Sequence, residues 1–104
     1  MLSDRKLVII HNHIQQLEKA TKQRKQARMN IINIIHQLLP LRCRCEVDHH
    51  ISLNKDFDIT VTIHTQELDN DTIQIIQEIA EDYIIEPEDN QEITVKIFQF
   101  KEIE

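Results

Sequence analysis

Leu41, Cys43, Cys45, Val47, His49, Ile51 and Leu53 alternate with Arg42, Arg44, Glu46, Asp48, His50 and Ser52. After Asn54-Lys55-Asp56 the rhythm resumes, with Phe57, Ile59, Val61 and Ile63 against Asp58, Thr60, Thr62 and His64. Period two on both sides of a turn predicts a β-hairpin with one buried and one wet face. An apolar sheet face of this length has to be covered, so the hairpin constrains everything around it. A three-residue turn keeps the odd-numbered set together: Leu53 opposite Phe57, Ile51 opposite Ile59, Val47 opposite Ile63. A two-residue turn would oppose Leu53 to Asp56 and send one strand's apolar set outward.

Upstream, residues from Asp4 to Leu39 read as one long helix that starts after Ser3, a good N-cap, and stops at Pro40. Leu7, Ile10, Ile14 and Leu17 form one apolar stripe; Ile31, Ile34, Ile35 and Leu38 form another in the same heptad frame. The stretch between them, Glu18 to Arg28, consists of helix formers without a breaker. Such a helix spans roughly 50 Å, whereas a thirteen-residue strand reaches about 43 Å before twist shortens it. One end of the helix should overhang the sheet, and a second copy of the chain is the simplest cover for the N-terminal stripe. A competing reading takes Leu7 to Ile10 as a short strand, which would complete a ferredoxin-like βαββαβ domain.

Downstream, Leu68 to Asp71 opens a second helix, with Asp69 or Asp71 as N-cap. Ile73, Ile76, Ile79, Ala80, Tyr83 and Ile84 share one helical face, and Pro87 among acids ends it. Ile93, Val95 and Ile97 then alternate with Thr94 and Lys96 as a third strand, whose phase breaks at Phe98 because Phe98 and Phe100 follow the even set. The expected fold is a single α+β domain over residues 1–104 in the order α-β-β-α-β. Its three-stranded, mostly antiparallel sheet carries both helices on the odd-numbered face and leaves the even face open.

Composition removes several functions. The chain has no glycine in 104 residues, whereas phosphate-cradling loops, dinucleotide turns and the GxxG loop of KH modules need glycine where backbone approaches phosphate. Cys43 and Cys45 are too close along one strand to bridge each other, which points to reduced thiols. No stretch resembles a signal peptide or the roughly 20 apolar residues of a membrane span, so the expected location is cytoplasmic. The net charge of −6 is unevenly spread. Residues 1–44 carry nine Lys/Arg against Asp4 and Glu18, a balance of +7; residues 45–104 carry three Lys against sixteen acids, a balance of −13. That polarity suits a basic helix on an acidic body, within one chain or between two.

Four constellations could carry function. Cys43, Cys45 and His49 offer zinc-type ligands, but strand neighbours at i, i+2 stand about 7 Å apart and a fourth ligand is missing at standard spacing, so core packing is the better reading and no cofactor is expected. Glu46 opposite His64 on the open face is material for acid–base catalysis, and equally an ordinary cross-strand pair. Lys19, Lys22, Arg24, Lys25 and Arg28 could touch nucleic-acid phosphates, although no aromatic stacking platform accompanies them. Two apolar stripes on an overlong helix, opposite charge on the two halves and aromatics leaving phase at an expected edge strand converge instead on protein association. The sequence therefore reads as a non-enzymatic protein-interaction or self-association domain, a homodimer above all. Leu7, Ile10, Ile14 and Leu17 are its first interface candidates, and Phe98 and Phe100 its second. A nucleic-acid-associated protein ranks next and an enzyme using Glu46 and His64 third.

Overall fold

The computed structural model describes residues 4–19, 23–39, 44–54, 57–87 and 92–102. Among the described residues three helices and four strands follow one another as α1 (Asp4–Lys19), α2 (Arg24–Leu38), β1 (Cys45–Ile51), β2 (Phe57–Thr65), α3 (Asn70–Ile79), β3 (Ala80–Pro87) and β4 (Ile93–Phe100). The class is α+β as expected, but the order is α-α-β-β-α-β-β and the sheet has four antiparallel strands in the order β1-β2-β4-β3. Residues 7–10 are helical, which removes the ferredoxin-like alternative.

The long N-terminal helix is replaced by a helical hairpin. The longest dimension of the molecule is 36 Å, shorter than the roughly 50 Å that an unbroken helix needs. Folding it in two lets both apolar stripes reach one core: Leu7, Ile10 and Leu17 of α1 are buried together with Ala27, Ile31, Ile34 and Ile35 of α2. Arg24 secures the junction. Its Nε donates to the Leu17 carbonyl at 2.9 Å, occupying one of the acceptors left open at a helix C-terminus. Lys22 and Pro40 lie outside the described residues.

The hairpin forms, with its odd-numbered set turned to the helices, but in a register two residues away from the expected one. Ile51 pairs with Phe57, Val47 with Val61 and Cys45 with Ile63. A slip of two preserves which side chains face inward, so the hydrophobic pattern cannot choose between the registers. β1 ends at Ile51 and β2 starts at Phe57, and Leu53, expected to pair, stands fully exposed between them. The strand start expected at Leu41–Cys43 and the turn residues Lys55 and Asp56 lie outside the described residues.

The main departure is β3. Residues 80–87, read as the second half of a helix, form a strand. Asp69 caps α3 as expected, accepting from the Thr72 N–H at 2.7 Å, and Ala80 closes it with extended backbone. Tyr83-Ile84-Ile85 is a β-forming run, and it pairs antiparallel along β4. β2 and β3 are therefore parallel to each other, with α3 as the crossover between them over β4. All three helices feed a single core over the sheet face that carries Val47, Ile59, Val61, Ile63, Val95 and Ile97.

Candidate functional site

The phase break at Phe98 has a structural counterpart. Tyr83 pairs with Ile97 and Asp82 with Gln99, so Phe98 is an extra residue on β4; Ala80 pairs with Phe100, so Glu81 is an extra residue on β3. These bulges re-aim the end of the β3–β4 pair, and the β2–β4 ladder stops at Val61–Ile97. Beyond that point Phe57–Thr60 and Phe98–Phe100 diverge around a cleft of about 790 Å³. Ile14 and His11 of α1 also line it, with Asp58, Asp82 and Glu102 as its acids. The His11 ring holds one wall by donating from Nε2 to the Lys101 carbonyl at 2.9 Å.

The expected interface residues separate. Leu7, Ile10 and Leu17 are buried in the chain's own core, so the overhang that made them dimer candidates does not exist. Phe100, expected to share a face with Phe98, is 3% exposed against 40% for Phe98. Ile14, Phe98 and Phe100 come together around the cleft. The strand that bears the two phenylalanines is interior rather than an edge.

On the open face the two-residue slip places Glu46 opposite Thr62, with His64 on the diagonal. His64 Nε2 lies 4.0 Å from Glu46 Oε2, and its Nδ1 is 3.2 Å from Thr94 Oγ1. Carboxylate, imidazole and hydroxyl thus stand in line, but Thr94 is 1% exposed, and the cleft lining includes neither Glu46 nor His64. On the helix side, His49 stacks on Phe57 with centroids 6.0 Å apart. Its Nδ1 accepts from Arg28 Nη1 at 3.2 Å, which assigns the ring proton to Nε2 because guanidinium only donates. Burial, then the charges of Arg24 and Arg28, hold His49 below the ordinary imidazole pKa. Two of the five basic candidates, Arg24 and Arg28, are therefore engaged in the fold. Cys45 is half-buried beside the core, Cys43 lies outside the described residues, and among the described residues no three His, Cys, Asp or Glu side chains are grouped to hold a metal.

The feature that the sequence reading missed is the outer edge of the sheet. β3 is an edge strand of eight residues, and Ile84 and Ile85 on it are 38% and 39% exposed. Hydrogen-bond alternation tells which backbone groups it offers. His64 N–H donates to the Arg44 carbonyl at 3.0 Å, so even residues of β2 bond toward β1 and odd ones toward β4. The pairs Val61–Ile97 and Ile63–Val95 then turn odd residues of β4 toward β2, leaving Ile84–Lys96 and Glu86–Thr94 as the bonded pairs of β3. Tyr83, Ile85 and Pro87 consequently direct their backbone groups outward. Pro87 has no N–H to offer, as suits an edge position. The available signal was Tyr83-Ile84-Ile85 just ahead of Pro87, a β-branched run masked by its continuity with the helical period of α3.

A four-stranded α+β sheet with a helical layer on one face and two bulges at the foot of its last pair defines the class of this chain. Compared with known proteins, it matches no family model, no curated protein and no solved structure. No helix among the described residues is long and apolar enough to cross a membrane.

Proposed function

We propose that this is a non-enzymatic association domain that works by accepting a further strand on the outer edge of β3. The observation that carries this reading is the exposed Ile84–Ile85 pair on an edge strand whose Tyr83 and Ile85 backbone groups point away from β4. Unpaired strand edges with apolar side chains are ready templates for another chain, and strand addition is a common mode of peptide recognition. The enzyme reading is weaker because the hydroxyl beside His64 is out of reach of a substrate. The nucleic-acid reading is weaker because Arg24 and Arg28 already have partners within the fold.

A photo-crosslinking residue placed at position 84, compared with one at the equally exposed Val8 of α1, tests the surface. Position 84 should give a discrete adduct in an extract of the source cells, and Ile85→Pro should abolish it. That substitution removes an outward N–H without touching the β4 ladder. Adducts that form equally well at Val8, or that survive Ile85→Pro, would refute the β3 edge as the working surface.

A further inference from the structure

The edge also says what should pair with it. Three alternate positions of β3 on the open face are Asp82, Ile84 and Glu86, while Tyr83 and Ile85 alternate with them toward the other face. An acid therefore stands on either side of an exposed isoleucine. A second copy of the chain is a poor match. Antiparallel pairing centred on Ile84 sets Asp82 opposite Glu86 on both sides of the centre, and the other registers that join outward backbone groups, centred on Tyr83 or on Ile85, set the exposed Ile84 opposite Asp82 or Glu86 rather than opposite an apolar residue. Like charges directly opposite one another destabilise a strand pair. Lys96, 3.9 Å from Glu86 on the neighbouring strand, is the one cation within ion-pair distance of this edge among the described residues. It leaves Asp82 and Glu81 to repel a copy that itself carries a net charge of −6.

Resting on the reading of β3 as the working edge, we infer that its partner is an extended segment of another protein with the pattern basic, apolar, apolar, apolar, basic. The pattern follows residue by residue. Lys or Arg at its first and fifth positions meet Glu86 and Asp82, the central apolar residue meets Ile84, and the flanking two lie against Tyr83 and Ile85. The pattern is symmetric, so antiparallel and parallel addition satisfy it equally. The acids thereby do two things: they disfavour self-pairing of an otherwise adhesive strand, and they select a basic partner over a neutral one.

The test is a titration of the isotope-labelled chain, followed by amide NMR, with three end-blocked ten-residue peptides that share a Val-Ile-Val centre. One is flanked by Lys on both sides, one by Ser and one by Glu. The Lys peptide should move the Tyr83 and Ile85 amides and bind about tenfold or more tightly than the Glu peptide. That preference should shrink in 0.5 M salt, where exposed pairs are screened, and reverse in the double variant Asp82→Lys with Glu86→Lys. Ile85→Pro should abolish binding; should it fail to fold, Ile84→Lys serves, since that side chain is exposed. If the Lys and Glu peptides move Tyr83 and Ile85 equally, the basic-partner inference is overturned while the edge reading stands. The same holds if the free chain is a dimer through β3. If none of the peptides moves β3 amides at millimolar concentration, the edge reading itself is refuted, and the inference with it.

Discussion

His49 is a single imidazole on which burial and two guanidinium groups act in the same direction. Desolvation comes first, then Arg24 and Arg28 on α2, with Asp48 opposing them from its own strand, and the net effect is a pKa below the ordinary 6.5. An unfolded chain takes up a proton near that ordinary value while the folded chain resists it, so the contribution of His49 is intact at pH 7.5 and declines as the pH falls below about 6.5. Denaturant titrations at pH 7.5 and 5.5 should show a loss of stability on acidification that is smaller in His49→Gln, which still offers Arg28 an acceptor. Ile10 illustrates a different point at the same scale. Its place in the N-terminal stripe was plain from the sequence, but whether that stripe meets a partner or the chain's own core depends on where the helix breaks. Because Ile10 is completely buried, Ile10→Ala should lower stability by about 2–5 kcal/mol through lost transfer energy and a cavity. A dimer interface would instead lose mass in light scattering at unchanged stability.

Among the elements, α3 and β3 show most clearly what local pattern does and does not settle. Asp69 was readable as a cap, and it accepts from the Thr72 N–H; hydrogen bonding to Thr72, from its side chain first and its backbone N–H second, holds the Asp69 carboxyl below its ordinary value. The capping contribution is therefore present above about pH 3.8 and fades as the pH falls through the lower folded value. Asp69→Ala should lower the melting temperature while Asp69→Asn, also a good cap, should leave it nearly unchanged. The end of the same helix was not readable. Ile76, Ile79, Ala80 and Tyr83 keep helical spacing across Ala80 without a glycine or proline to mark the change, and only pairing with β4 decides for strand. The hairpin was legible in its faces and not in its register, because a slip of two leaves every side chain on its own side. The phase break at Phe98 was legible too, but that it marks a bulge and opens a cleft depends on β3, which that reading lacked.

At the scale of the molecule, the Lys/Arg excess sits in the helical hairpin and the acid excess in the chain from β1 onward, mostly around α3 and β3. The basic layer covers the sheet face that the core needs covered, and the acidic part carries the edge that no element among the described residues covers. The first consequence is legible from charge and periodicity alone. The second depends on strand order, which is set by a crossover that local signals do not specify. The measurement that tests the account most directly is amide hydrogen exchange of the free chain at low micromolar concentration, read residue by residue along β3. Ile84 and Glu86, bonded to β4, should exchange slowly, and Tyr83 and Ile85, facing outward, should exchange fast. Equal protection of Tyr83 and Ile85 in the isolated chain would mean that the edge is already covered, and would contradict β3 as the open working surface.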